Sequence, residues 1–277
     1  MKRNTIYKRD CLEFMATIAD NTFDCVIGSP PYPRKGARYP NGQKMSNDDW
    51  LKFMVSVVRE SVRVSKGWVW FVVNNTIHRG YYEPMVEGLI WKCYELGVAC
   101  DRPDIWHKNM TPNRQGKYFS NDHEHVICFK SEKYPAFDWE RVAVAPKYTS
   151  GGKFRQRKNT GGGDRGDGGD YPTGKLAQPR DVFRCTVGGG HMGFDRVDDE
   201  LATSGKAPYP LGVPTRFLKV GVPTGGLVYD PFCGAGTTCV AAHMLQMNYV
   251  ATEISDEEIA IARKRLRRAK RHVQRAL

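Results

Sequence analysis

Apolar positions along the chain alternate between short runs and helical stripes. Thr5-Ile6-Tyr7 and residues 23–27 are strand-like runs, and the second ends on Gly28-Ser29-Pro30-Pro31-Tyr32. Ser46, with Asp49 three residues on, is a capping-box variant. The helix it opens carries Trp50, Phe53, Met54, Val57, Val58, Ser61 and Val64 at helical spacing. Residues 67–73 form a near-continuous apolar run, as a strand buried on both faces requires. The spacing predicts a second helix over about 82–96, with Met85, Val86, Leu89, Ile90 and Cys93 on one side and Gly97 as the stop. Residues 227–229 and 249–252 read as strands around a helix over 237–245. Ser255 with Glu258 caps a last helix, whose Ile259, Ala262, Leu266, Ala269 and Val273 share one face. This alternation predicts an α/β domain built on a mostly parallel sheet. Such sheets bind ligands beyond the carboxyl ends of their strands, which is where both motifs described below fall.

Composition narrows the partner. The 277 residues carry 42 Lys and Arg against 30 Asp and Glu, a formal charge of +12. That surplus points to a polyanion, with nucleic acid ahead of an anionic membrane surface. No apolar run approaches the roughly 18 residues of a spanning helix. The N-terminal Met1-Lys2-Arg3-Asn4-Thr5 leads into a strand-like segment and not a signal-peptide core, so export is not expected. None of the eight cysteines forms a C-x-x-C pair, which points to reduced thiols in a cytoplasm and to no zinc ribbon. His123 and His125 are the only tight histidine pair and lack further ligands at a recognisable spacing, so no metal is expected. Residues 149–170 are rich in glycine, with Lys153, Arg155, Arg157, Lys158 and Arg165 and almost no aliphatic side chains. They read as a basic loop that buries too little to fold alone, within a middle region over roughly 131–205.

Two motifs carry chemistry. Asp230-Pro231-Phe232-Cys233-Gly234-Ala235-Gly236-Thr237-Thr238 follows a strand and opens a helix. Gly234 and Gly236 permit a tight turn and a close backbone approach to a ligand. No Gly-Lys-Ser/Thr follows, so this is not a phosphate loop. Glu253 ends the next strand, where a carboxylate can accept hydrogen bonds from both hydroxyls of an adenosine ribose. Cys233 reads as a small apolar side chain within the loop and not as a nucleophile. In the second motif, Pro30 and Pro31 stiffen the backbone and keep their carbonyls as acceptors. Ser29 adds a hydroxyl acceptor and Tyr32 a flat stacking face. The set suits a planar base with an exocyclic amino group, which donates to Ser29 and to a proline carbonyl. The amino nitrogen, less conjugated with its ring, can then attack an electrophilic methyl in line, with the protein supplying position and electrostatics.

These residues resemble motifs of the S-adenosylmethionine-dependent DNA amino-methyltransferases of the beta group. The resemblance implies that residues 230–238 wrap the methionine part of the cofactor and Glu253 holds its ribose. Asp10-Cys11 resembles the motif whose Asp side chain and following amide face the adenine. Residues 29–32 resemble the catalytic motif, in which Ser at the first place is typical of cytosine-N4 enzymes and Asp is commoner among adenine-N6 enzymes. Ala207-Pro208-Tyr209-Pro210, with Pro214, Phe217 and Leu218, resembles the motif ahead of the cofactor loop, with Lys206 where many relatives have His. Residues 105–108 and 123–130 resemble its paired final strands. The resemblance implies a Rossmann-like methyltransferase fold, with a seven-stranded, mostly parallel sheet and an antiparallel last strand. The motif order is circularly permuted. Residues 1–130 and 206–277 make the catalytic domain, with 131–205 as an inserted target-recognition region.

The activity implied is methyl transfer to cytosine N4 in DNA, in a duplex with a flipped base or in a single strand. The alternatives are adenine N6, RNA as substrate, or a basic DNA-binding protein with an inactive copy of the fold. Arg34, Lys35 and Arg38 follow Tyr32 and are expected near target phosphates or as a solvated basic loop. The basic residues of 149–170 are expected to order on DNA or to serve as a tail without contacts. Asn74 and Asn75 end a strand and either line the base pocket or form a simple turn. The basic face of the last helix, including Arg263, Arg265 and Arg267, is a solvated face or a further DNA contact. The setting implied is the cytoplasm of a bacterial, archaeal or phage-infected cell. A homodimer and a separately acting cognate restriction endonuclease are compatible with it.

Overall fold

The computed structural model describes residues 1–32, 44–108, 122–131, 135–144, 176–185 and 209–276. The chain runs β1 (Thr5–Lys8), α1 (Cys11–Met15), β2 (Phe23–Gly28), α2 (Asn47–Val64), β3 (Ser65–Val73), β4 (Thr76–His78) and β5 (Tyr81–Glu83). It continues with α3 (Met85–Glu95), β6 (Cys100–His107), β7 (His123–Lys130), a 3₁₀ turn (Trp139–Val142) and β8 (Val182–Arg184). The last elements are α4 (Gly212–Gly221), β9 (Leu227–Asp230), α5 (Thr237–Met244), β10 (Asn248–Glu253) and α6 (Asp256–Ala276).

Eight strands form one sheet in the order β1-β10-β9-β2-β3-β7-β6-β8, and β4 pairs with β5 in a separate hairpin. All neighbours in the large sheet are parallel except around β7, which runs antiparallel to both β3 and β6. Seven of these strands are the expected set. The eighth, β8, comes from the middle region and pairs with β6 from Ile105↔Val182 to His107↔Arg184. It is held because Phe183 is buried in the core and the Trp106 indole donates to the Cys185 carbonyl at 2.8 Å. The middle region is therefore not wholly separate from the sheet.

Two cores sandwich the sheet. On one face α1, α2 and α3 bury Phe14, Trp50, Met54 and Leu89 against Val69, Phe71 and Val73. On the other, α4, α5 and α6 bury Phe217, Leu218, Ala241 and Ala262 against Trp70, Val72 and Val228. The seven-residue apolar run of β3 is explained by this burial on both sides. α2 starts where expected, because the Ser46 hydroxyl accepts from the Asp49 amide at 3.1 Å and donates to its carboxylate at 2.7 Å. α3 starts three residues later than the spacing predicts. Pro84 disfavours a helical conformation at Glu83, and Arg79 and Gly80, at φ +50° and +83°, turn the chain into the β4–β5 hairpin instead.

The strand order reverses direction between β9 and β2. From β9 the chain steps outward to β10, and from β2 it steps the other way to β3. The crevice at such a reversal is where open α/β sheets bind ligands.

Candidate active site

The cofactor motif and the catalytic motif meet at that crevice. β9 and β2 pair at Cys25↔Val228 and Val26↔Tyr229, so residues 230–236 and 29–32 leave the same edge side by side. A Cβ on Gly28 would lie 2.6 Å from Asp230 Oδ1, which shows how tightly the two loops abut.

On the cofactor side the Asp230 side chain is buried. Its Oδ1 accepts from the Phe232 amide at 2.9 Å, and its Oδ2 makes no hydrogen bond of ordinary geometry. Burial pushes this carboxyl up to about 7, against the pull of the Thr238 hydroxyl and the Phe232 amide. The loop is tied to β10 by Cys233 N donating to Thr252 O at 2.9 Å and by Thr252 Oγ1 donating to Pro231 O at 2.9 Å. Glu253 joins it, with Oε2 accepting from Gly234 N at 2.8 Å and Oε1 from the amides of Ile254 and Ser255. Both lone pairs of Oε1 are thus taken, and Oε2 keeps one for a further donor. Asp10 stands beside Glu253, since Lys8 pairs with Glu253 and Arg9 N donates to its carbonyl. Asp10 also caps α1, its Oδ1 accepting from Leu12 N and Glu13 N. Cys11 is buried, and burial beside Asp10 pushes its thiol up.

The two motif glycines differ in role. Gly234 (φ +47°) faces open space, with only Phe232 O near an added Cβ, at 3.9 Å. Gly236 (φ +78°) faces α6 instead, where an added Cβ would meet Ala262 Cβ at 2.8 Å. Its glycine serves helix packing and not the approach of a ligand. Arg265, on the face of α6 read as solvated or DNA-binding, turns back to this loop. Its Nη1 donates to Ala235 O at 2.8 Å and to Thr237 Oγ1 at 2.9 Å. The Cys233 thiol is pushed up by its contact with Cys239 and by burial, which leaves it protonated and unsuited to attack. Tyr209, in the motif ahead of the loop, shares a hydrogen bond with Thr238.

On the catalytic side, Ser29 Oγ donates to Val72 O at 3.3 Å, which leaves its lone pairs free to accept. The Pro31 carbonyl accepts from the Trp50 indole at 2.7 Å, so Pro30 supplies the unclaimed proline carbonyl among the described residues. Tyr32 donates its phenol proton to Glu124 Oε2 at 2.5 Å. Burial and the Glu124 charge raise the Tyr32 phenol well above its ordinary value. Glu124 Oε1 is paired with Lys108 Nζ at 2.5 Å, and these side chains are only 12% and 15% exposed. Lys108 also lies over the Trp106 ring. Neither Glu124 nor Lys108 stands out in the sequence as a site residue, because the contact joins three separate strand ends.

Asn74 and Asn75 link β3 to β4, and their side chains are taken up by neighbours. Asn74 donates to His123 O and accepts from Asn75 N, while Asn75 binds Tyr82, Glu87 and the Val86 amide. His107 faces Asp122 at 3.1 Å, and His123 meets His125 edge to face. Among the described residues no cluster of three or more His, Cys, Asp or Glu is placed to hold a metal, and no helix is long and apolar enough to cross a membrane. Arg34, Lys35, Arg38, Lys153, Arg155, Arg157, Lys158, Arg165 and Lys206 lie outside the described residues.

The sequence profile of the DNA methylase family, the N6/N4 type, matches residues 23–264. The chain belongs to this family. The methylase is 28% identical to the type II methyltransferase M.HinfI of Haemophilus influenzae over 96% of its own length and 69% of that protein's. It is 26% identical to M.BglII of Bacillus subtilis, over 94% and 68%. Its fold matches the PvuII DNA methyltransferase, a cytosine-N4-specific enzyme, with a TM-score of 0.72 at 14% identity, covering 96% of this chain and 86% of that one. It also matches a putative DNA modification methylase of Thermus thermophilus in complex with S-adenosyl-L-methionine, with a TM-score of 0.61 at 22% identity over 95% of each chain. The methylase is an S-adenosylmethionine-dependent DNA methyltransferase, and its residues fit that cofactor. The buried Asp230 Oδ2, the open side of Gly234, the remaining lone pair of Glu253 Oε2 and the second carboxylate oxygen of Asp10 line one edge of the sheet. The cofactor supplies a methyl group on a positively charged sulfur, which the protein has only to aim.

Proposed function

We propose that the methylase transfers the methyl group to the exocyclic N4 of cytosine in DNA, on a base flipped out of the duplex or presented in a single strand. The observation that carries this reading is the acceptor pair at the catalytic motif. Ser29 Oγ donates to Val72 O and lies beside the Tyr32 hydroxyl, and the Pro30 carbonyl is unclaimed among the described residues while that of Pro31 is held by Trp50. Two neutral acceptors can take both protons of an amino group. That weakens the conjugation of the nitrogen lone pair with the ring and aims it toward the cofactor side of the crevice. Tyr32 offers its ring for stacking, in an orientation set by Glu124. Ser at the first place of the motif, and the fold shared with a cytosine-N4-specific enzyme, favour cytosine over adenine.

In this reading residues 230–238, Glu253, Asp10 and Cys11 hold the cofactor, and residues 131–205 carry target recognition. Arg34, Lys35, Arg38 and the basic loop residues Lys153, Arg155, Arg157 and Lys158 contact phosphates. The similarity to type II enzymes suggests a place in restriction–modification, with an endonuclease acting as a separate protein in the same bacterial cytoplasm. The test is transfer of labelled methyl to DNA, followed by digestion to nucleosides. N4-methylcytosine is expected. Label found only in N6-methyladenine refutes the cytosine assignment, and transfer to RNA alone refutes DNA. Ser29→Ala and Tyr32→Ala are expected to lose most turnover while calorimetry still detects cofactor binding.

A further inference from the structure

The β4–β5 hairpin stands at the catalytic edge and is left over once the site is assembled. It leaves β3 two residues after Val73, and the carbonyl of the neighbouring Val72 is the one that holds Ser29. Its turn is the two-residue kind with both central residues at positive φ, Arg79 and Gly80, which matches the twist of the paired strands. Its base is pinned. Thr76, itself buried, donates to Glu83 at 2.7 Å, and the Tyr82 hydroxyl binds Asn75 at 2.5 Å and Glu87 at 3.0 Å. Asn75 also accepts from the first turn of α3 through the Val86 amide at 2.8 Å.

The rest of this stiff element is bare. Tyr81 is 78% exposed, Tyr82 59% and Ile77 56%. An isolated two-stranded hairpin gains little from showing three large apolar side chains to water. His78 pairs with Tyr81 across the ladder, and Arg79 at the tip has no ion pair among the described residues. An apolar, flat side chain next to an unpaired guanidinium on a chain of charge +12 matches a polyanion with exposed ring faces. A duplex that has lost one base from its stack offers two such faces beside phosphates.

We propose that the β4–β5 hairpin is a DNA-contacting finger, in which Tyr81 stacks on the base faces uncovered beside the flipped base and Arg79 neutralises an adjacent phosphate. The proposal rests on the reading of DNA as substrate with an extruded base. The experiment uses the full chain, with binding to a labelled mixed-sequence duplex over a range of salt and methyl transfer to unmodified genomic DNA. Arg79→Ala is expected to weaken duplex binding on all sequences and to lower the salt slope by about one. Tyr81→Ala is expected to raise the KM for DNA about tenfold, the scale of one lost base–aromatic stack. Tyr81→Trp restores it, and cofactor affinity measured by calorimetry is unchanged in all three variants. Wild-type DNA affinity and KM in both alanine variants overturns the proposal. So does a Tyr81→Ala variant that changes only self-association in sedimentation, which would assign the hairpin to a second copy of the chain. A wild-type protein that methylates no DNA refutes the underlying reading, and this is seen before any variant is compared.

Discussion

Replacing Glu124 with Gln tests the idea that the stacking ring of Tyr32 is held by a desolvated ion pair. Glu124 accepts from the Tyr32 phenol and from Lys108, both at 2.5 Å, with the Glu124 and Lys108 side chains almost shielded from water. Gln keeps the shape and removes the charge. Lys108 is then left without its counter-charge at 15% exposure, and breaking one partner of a buried pair costs about 3 kcal/mol. The phenol bond also loses its charge assistance, and a hydrogen bond to a charged group contributes roughly 1.5–3 kcal/mol. The two effects overlap, so a stability loss of about 3–4 kcal/mol is expected in urea unfolding. The catalytic effect separates from it. A stacking ring displaced by an ångström costs turnover up to about 100-fold, so kcat is expected to fall while cofactor affinity holds. The double variant Lys108→Met with Glu124→Leu sharpens the test. Apolar side chains of similar volume are expected to recover most of the stability. Turnover stays low, because the Tyr32 phenol still lacks its acceptor. Unchanged unfolding and unchanged kcat in Glu124→Gln refute the argument. Recovery of full turnover in the double variant refutes the positioning role alone.

The Asp230 carboxyl, raised to about 7, makes the free protein less stable as pH rises from about 4 to about 7, because the folded state holds a proton that the unfolded state has released. The span corresponds to an upper bound on the order of 4 kcal/mol. Asp230→Asn is expected to flatten that pH profile in thermal unfolding and to weaken cofactor binding, and an unchanged profile counts against the buried carboxyl as its source. Gly28→Ala would place a Cβ 2.6 Å from Asp230 Oδ1, on a carboxylate that is buried and cannot swing away. Both the Kd for the cofactor and kcat are expected to worsen by at least about tenfold, which direct binding and single-turnover methylation would detect. Arg265→Ala removes the bonds to Ala235 O and Thr237 Oγ1 and is expected to weaken cofactor binding several-fold, with little change in the salt dependence of DNA binding. A change in the salt slope with intact cofactor affinity would return Arg265 to the DNA-facing set.

The parts of the site legible in the sequence are those whose meaning is local. Asp230, Gly234 and Glu253 lie on one strand–turn–helix–strand unit, and residues 29–32 on one loop, so spacing alone announces them. Long-range contacts leave no such trace. Tyr32 and Glu124 are 92 residues apart, and Lys108 follows a third strand. Gly236 reads as a residue freed for a ligand, yet its missing Cβ makes room for Ala262 on a helix reached only after β10. Arg265 shares the spacing of a solvated face, and only the docking of α6 against α5 turns its guanidinium inward. The β4–β5 hairpin is hidden for a different reason. Its turn uses Arg79 at positive φ, where Asn or Asp is the usual sign, and its Tyr81 and Tyr82 blend into the apolar stripe of the helix that follows.

The order of strands explains why two motifs about 200 residues apart in the chain make one site. β2 and β9 are the two strands from which the chain steps outward in opposite directions, so their loops have no helix between them. The loop of β9 reaches toward β10 and β1, where Glu253 and Asp10 wait. The loop of β2 reaches toward β3 and β7, where Val72 and Glu124 wait. Cofactor binding and base binding are thus divided left and right of a single seam, closed by the contact of Gly28 with Asp230. The same division separates the charges. The cofactor side carries the carboxyl groups of Asp230, Glu253 and Asp10, which suit a cationic ligand. The base side presents neutral acceptors from Ser29 and Pro30, and the carboxylate that holds Tyr32, Glu124, is compensated by Lys108. A free carboxylate there would compete for the sulfonium. Pairing Glu124 leaves the cofactor one electrostatically preferred side of the seam, and leaves the other side open to an uncharged amino group.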